Sequence, residues 1–258
     1  MSVPLAFSEH GDGPPLVIMH GLFGSARNWR TIAERLAGRF HVYAVDLRNH
    51  GESAHGDTMS FSEMIDDLRV FLDAQGLERT AMLGHSVGGK VAMLFALLYG
   101  QHLDRVIVVD IAPFAYAHTY LPEVRAMKGV DLDAVTSRAD ADARLGRAIF
   151  DPMLRTFLLQ NLVSKDGGGY AWRINLDAIA NAMEQLTGFP DVTGLEYDGP
   201  SLFISGDGSD YIRAGYHAKI RTLFPAAEFT VIPDAGHRVH ADQPDKFFES
   251  VRAFLDAG

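Results

Sequence analysis

Gly84-His85-Ser86-Val87-Gly88 places a serine hydroxyl between two glycines. Such a hydroxyl is a poor nucleophile near neutral pH. It needs a base to take its proton, and the base needs an orienting partner. His237, in a Gly236-His237 loop late in the chain, fits the base. Asp110, Asp177, Asp207, Asp210 and Asp234 are the aspartates that could orient it. A hydroxyl activated in this way attacks a carbonyl carbon and is transiently acylated. The tetrahedral oxyanion formed on the way needs backbone N–H donors. Val87, the residue after the serine, offers one. Leu22, in His20-Gly21-Leu22-Phe23-Gly24-Ser25, offers a second, with Phe23 as the alternative.

These residues are useful only if strands and helices bring them together. Thr80 to Leu83 is a short apolar run that predicts a buried strand. From Val87 onward, Val91, Leu94, Phe95 and Leu98 recur at helical spacing. Ser86 therefore sits where a strand reverses directly into a helix, the setting that gives Gly-x-Ser-x-Gly its mechanism. The chain nearly touches itself at such a bend, so the flanking residues must be small. An N-cap serine after a glycine turn would explain the serine, but not glycines on both sides. His237 follows the predicted strand Glu228 to Ile232, which puts it at the same carboxyl edge of the sheet as Ser86. The order serine, acid, histidine suits this architecture.

The rest of the chain keeps the rhythm. Strands are predicted at Val3 to Phe7, Leu16 to Met19, His41 to Asp46, Arg105 to Ile111 and Ser201 to Ser205. Helices are predicted at Trp29 to Leu36, Phe61 to Gln75, Tyr216 to Phe224 and Phe247 to Leu255. Alternation of this kind predicts an α/β fold: a mostly parallel, doubly wound sheet with helices on both faces. The rhythm breaks after Ile111. Leu132 to Phe150, Met153 to Val163 and Leu176 to Leu186 look helical, with Gly167-Gly168-Gly169 as a turn, and no strand is expected there. The division is a core of residues 1–111 and 200–258 with a helical cap at 112–199.

Bulk properties narrow the field. The 258 residues are 47% hydrophobic and 22% charged, and carry a formal net charge of -10. That balance disfavours nucleic acid and anionic membrane surfaces as partners. With no cysteine, disulfides, thiolate nucleophiles and cysteine metal sites are excluded. No signal-like start or spanning apolar run is read, so the expected location is cytoplasmic.

Strand-His20-Gly21-Leu22-Phe23-Gly24, Asp46-Leu47-Arg48-Asn49-His50-Gly51-Glu52-Ser53, Gly84-His85-Ser86-Val87-Gly88-Gly89 and Gly236-His237 together resemble the α/β-hydrolase superfamily over nearly the whole chain. Val109 to Pro113 and Tyr170 to Asp177 are similar to small bacterial serine esterases related to a mitochondrial abhydrolase. The resemblance implies hydrolysis of an ester or thioester without a cofactor or metal. It also bears on the acid. Most of the superfamily carries Gly-x-x-Asp where this chain reads Gly206-Asp207-Gly208-Ser209. In the resembling subgroup the acid comes from the end of the strand after the nucleophile helix, here Asp110, and Ser209 becomes an auxiliary fourth member. Asp110 would end a neighbouring parallel strand on the same edge, within a side chain's reach of His237.

Around that centre, Phe114, Tyr116, Phe150, Phe157, Leu158 and Trp172 are candidates for an apolar roof. Leu22 and Phe23 are candidates for an acyl wall. An apolar roof without clustered arginines favours short to medium acyl groups. His85 is expected to shape the site, His240 to pack or line its entrance, and Lys90 to lie on a helix surface. A serine nucleophile argues against dehalogenase and epoxide-hydrolase chemistry. Carbon–carbon bond hydrolysis, perhydrolysis and non-catalytic ligand binding remain as alternatives on the same residues.

Overall fold

The structure, a computed structural model, describes residues 1–257. Its centre is a seven-stranded sheet built from β1 (Phe7–His10), β2 (Pro15–Met19), β3 (His41–Val45), β4 (Thr80–His85), β5 (Leu103–Val109), β8 (Ser201–Gly206) and β9 (Ala227–Ile232). The spatial order is β1-β3-β2-β4-β5-β8-β9. β1 runs antiparallel to β3, and every other neighbouring pair is parallel.

Alternation along the strands splits the core in two, because successive side chains point to opposite faces. Leu16, Ile18, Leu83, Ile107, Val109 and Ile204 pack on one face with Trp29, Ile32, Phe247 and Val251. The last four belong to the short turn before α1 (Arg30–Leu36), to α1 and to α10 (Pro244–Asp256). Val17, Met19, Met82, Val106 and Val108 pack on the other face with α2 (Phe61–Ala74) and α3 (Val87–Tyr99). β4 and β8 are buried along their whole length, as expected of parallel strands covered on both sides. α2 opens on a capping box, with Ser60 Oγ accepting from Glu63 N–H and the Glu63 carboxylate from Ser60 N–H.

Between β5 and β8 the chain leaves the sheet. It forms α4 (Leu121–Lys128), α5 (Arg138–Leu145), α6 (Pro152–Leu159), a hairpin of β6 (Leu162–Ser164) and β7 (Tyr170–Trp172), and α7 (Leu176–Thr187). Val124, Met127, Leu145, Leu158 and Ile179 from this segment join the core on the α2/α3 side of the sheet. The remaining helices, α8 (His217–Arg221) and α9 (Val239–Asp242), are short. Among the described residues no helix is long and apolar enough to cross a membrane.

The structure corrects three sequence expectations. The first strand is Phe7–His10, not Val3 to Phe7. Pro4 cannot donate to a ladder, and the Val3 and Ala6 N–H groups instead reach Asp67 Oδ1 and Ser53 Oγ. The inserted segment is not purely helical. Gly167, Gly168 and Gly169 take φ of 91°, 100° and 79°, a run that only glycine accepts cheaply, and the chain folds back as a hairpin. Its helices also differ in extent: α5 and α6 are shorter than expected, and α4, with a proline in its first turn, was not anticipated.

Candidate active site

Among the described residues, five non-glycine positions have positive φ: Phe23, Asn49, Ser86, Asp110 and Asp234. Each lies in a connection that follows the carboxyl end of a strand, namely β2, β3, β4, β5 and β9. Strained backbone of this kind collects at functional sites, and ligands of open parallel sheets bind at that edge.

Ser86 has φ 52° and ψ -118°. A Cβ on Gly84 would come to 2.1 Å from Gly88 O, and one on Gly88 to 2.5 Å from His20 O. Both glycines are thus required by the bend itself. The strain at Ser86 costs about 1–3 kcal/mol. Burial of one large apolar side chain offsets that at roughly 1.5–3 kcal/mol, and α3 is buried from Val87 to Leu97.

Asp110 follows the last residue of β5 and is fully buried. Its Oδ2 accepts from His237 Nδ1 at 2.7 Å and from Ser209 Oγ at 2.5 Å. This leaves His237 Nε2 as the nitrogen available to a hydroxyl. Ser86 and His237 line one cavity of about 290 Å³. The other aspartates lie elsewhere: Asp210 pairs with Arg213, Asp177 with Lys128 and Asp234 with Lys246, all exposed. Asp207 Oδ1 accepts from Ala235 N–H at 3.3 Å and so braces the loop that carries His237.

The loop after β2 separates the two oxyanion candidates. Phe23 N–H donates to His50 Nε2 at 3.2 Å, so it is engaged. No acceptor is found among the described residues for the N–H of Leu22 or of Val87. Two buried histidines set this loop. His20 Nδ1–H donates to Gly21 O at 2.7 Å while its Nε2 accepts from Leu47 N–H at 3.0 Å. His50 Nδ1–H donates to Arg48 O at 3.0 Å. Burial pulls His20 down to about 4 and His50 to about 3, so both stay neutral and each keeps one nitrogen as an acceptor.

Several neighbours were not anticipated. Tyr211 stacks on His237 at 4.1 Å between ring centres. Its hydroxyl joins Tyr120 and His118, each at 2.7 Å, tying the inserted segment to the loop that carries Ser209. The only hint in the sequence was its place two residues after Ser209. His85 lines the same cavity, with Nε2–H donating to His237 O at 2.9 Å. His240 stacks on Trp29 at 4.1 Å and lines the cavity.

The expected roof is corrected. Phe157 lines the large cavity, beside Tyr120 and Leu154, and Tyr116 lines a smaller one. Phe150 points outward with 84% exposure. Phe114 packs on Tyr216, Leu158 is core, and Trp172 Nε1–H donates to Met127 O. Lys90 is not on the surface. It is 1% exposed, and its ammonium donates to the carbonyls of Leu186, Thr187 and Gly188 at 3.1, 2.9 and 2.6 Å. These are the last carbonyls of α7, where a cation is favoured.

A hydroxyl on a strained strand-to-helix bend, an imidazole held by a buried carboxylate and two free N–H groups define a class. Residues 14–244 match the family model of the alpha/beta hydrolase fold, and the chain belongs to that family. Within it, the chain is an enzyme of the carboxylic-ester hydrolase class. It is 40% identical to an sn-1-specific diacylglycerol lipase, ABHD11, of Danio rerio, over 96% of this chain and 80% of the relative. It is 32% identical to esterase YbfF of Escherichia coli strain K12, over 97% and 96%. A solved marine microorganism esterase superposes with a TM-score of 0.95 at 39% identity, covering 98% of this chain and 100% of that one.

Proposed function

We propose that this chain hydrolyses carboxylic esters, thioesters included, of short to medium acyl groups through an acyl-enzyme on Ser86. The observation that carries the reading is the His237 Nδ1–Asp110 Oδ2 contact of 2.7 Å beside a cavity shared by His237 and Ser86. Asp110 holds the imidazole with Nε2 toward the hydroxyl and stabilises the imidazolium as it forms. Ser86 Oγ attacks the carbonyl carbon and its proton passes to His237. The Leu22 and Val87 N–H groups receive the oxyanion. His237 then protonates the leaving oxygen, and later activates the water that releases the acid. Ser209 donates to the same carboxylate oxygen and fixes its direction, as an auxiliary member. Residues 112–199 act as the cap, supplying Tyr120, Leu154 and Phe157 to the cavity. The substrate is a small-molecule acyl ester or thioester, and no cofactor takes part in the steps.

A panel of p-nitrophenyl esters with a Ser86→Ala control tests this. Turnover should fall by roughly 10⁵-fold or more in the variant. Turnover that survives the substitution would exclude the mechanism.

A further inference from the structure

Two cavities meet at Ser86, and they differ in size and in what borders them. The larger, about 290 Å³, touches His237, Arg238 and His240. The smaller, about 20 Å³, touches Val87, Lys90, Ile111 and Met183 but, among the described residues, not His237. A volume of about 20 Å³ holds a single water-sized group.

We propose that the small cavity is the acyl subsite and the large one the alcohol subsite, so that the preferred substrates are acetate-sized esters of bulky alcohols. The inference rests on the hydrolase reading above and names its substrate class. It follows from the proton path. Ser86 Oγ forms the new bond to the carbonyl carbon, and the bond from that carbon to the alcohol oxygen breaks. The proton lost by Ser86 goes to His237 and from there to the departing oxygen. The alcohol must therefore leave on the side where His237 stands, which is the large cavity. Of the two proposed oxyanion donors, Leu22 borders both cavities and Val87 borders the small one, not the large one, among the described residues. The acyl chain is left with that side.

The wall of the small cavity is held in place. Met183 and Leu186 lie on α7, and the Lys90 ammonium clamps the end of that helix through three carbonyls. Tyr116 donates to Tyr211 O and accepts from Ala112 N–H, both at 2.8 Å. A longer acyl chain must push against a helix tied to the helix that carries Ser86. An extra methylene that a pocket cannot take costs about tenfold or more in specificity.

The test uses two ester series on the wild-type chain. One lengthens the acyl group, from p-nitrophenyl acetate to butyrate to hexanoate. The other lengthens the alcohol, from ethyl to butyl to hexyl acetate. The expected result is a fall in kcat/KM of at least tenfold from acetate to butyrate, with hexyl acetate cleaved at least as well as ethyl acetate. Met183→Ala should then raise the butyrate-to-acetate ratio at least tenfold, with a thermal melt confirming a folded variant. A preference for hexanoate over acetate in the wild type would overturn the assignment and place the acyl chain in the large cavity, leaving the hydrolase reading intact. If no ester of either series is cleaved, the hydrolase reading fails and takes this one with it.

Discussion

Replacing Asp110 by Asn should nearly abolish turnover while leaving the fold in place. The side chain is fully buried and its Oδ2 accepts two hydrogen bonds, from His237 and from Ser209. Asparagine keeps the shape and loses the charge. In the proposed reaction His237 becomes an imidazolium directly against this group. Two unit charges about 4 Å apart interact by about 4 kcal/mol at an effective dielectric of 20. That alone is worth about 10³-fold. If the amide nitrogen turns toward Nδ1, it also favours the tautomer with the proton on Nε2, which cannot act as base. Together the loss in kcat should reach roughly 10⁴-fold. Initial rates on p-nitrophenyl acetate, with circular dichroism to show an intact fold, measure it. Asp210→Asn serves as the control, because among the described residues that exposed carboxylate pairs only with Arg213, a contact worth roughly 0–1 kcal/mol. A mild Asp110→Asn beside an inactive Asp210→Asn would refute the assignment of the acid.

Further outcomes follow from the same geometry. Ser209→Ala removes one donor to the carboxylate, a bond worth about 1.5–3 kcal/mol. Steady-state kinetics should show kcat lowered by about tenfold with KM little changed, and an unaltered kcat would remove Ser209 from the relay. Acid should destabilise the chain through its buried histidines. Burial pulls His20 from 6.5 to about 4, and His50 and His240 to about 3. Unfolding restores an ordinary value, so the unfolded chain binds more protons between pH 6.5 and those values. Stability then falls as pH drops through that window, by about 1.4 kcal/mol per unit for each such group. Thermal melts from pH 7.5 to 4.5 should show a steepening loss below pH 6.5, and a flat midpoint would contradict the neutral, buried imidazoles. Lys90→Met leaves three carbonyls at the end of α7 without their donor. Unfolding in urea should show a loss of about 2 kcal/mol, moderated because burial already lowers the lysine to about 7. An unchanged midpoint would mean the clamp adds no net stability.

What the sequence revealed depended on how local each signal was. The bend at Ser86 was legible because its cause is local: glycines at 84 and 88 are needed within four residues of each other. The doubly wound sheet was legible because every buried strand is a short apolar run between turns. Asp110 is singled out as the candidate acid only through resemblance, since a capping aspartate before Ile111-Ala112-Pro113 reads the same way. Lys90 was misread for a physical reason. Its partners lie at 186–188, beyond any window, and without them a lysine on a helix is expected at the surface. Which of Leu22 and Phe23 keeps an unengaged N–H depends on His50, which takes the Phe23 N–H from a different loop. The hairpin of β6 and β7 has strands too short for an alternating pattern to show.

A fluorophosphonate that reacts with activated serines, followed by peptide mass mapping, tests the account most directly. One adduct per chain should appear, on Ser86, absent in Ser86→Ala and formed far more slowly in His237→Ala. An adduct on any other side chain, or labelling of Ser86 at an equal rate without His237, would contradict it.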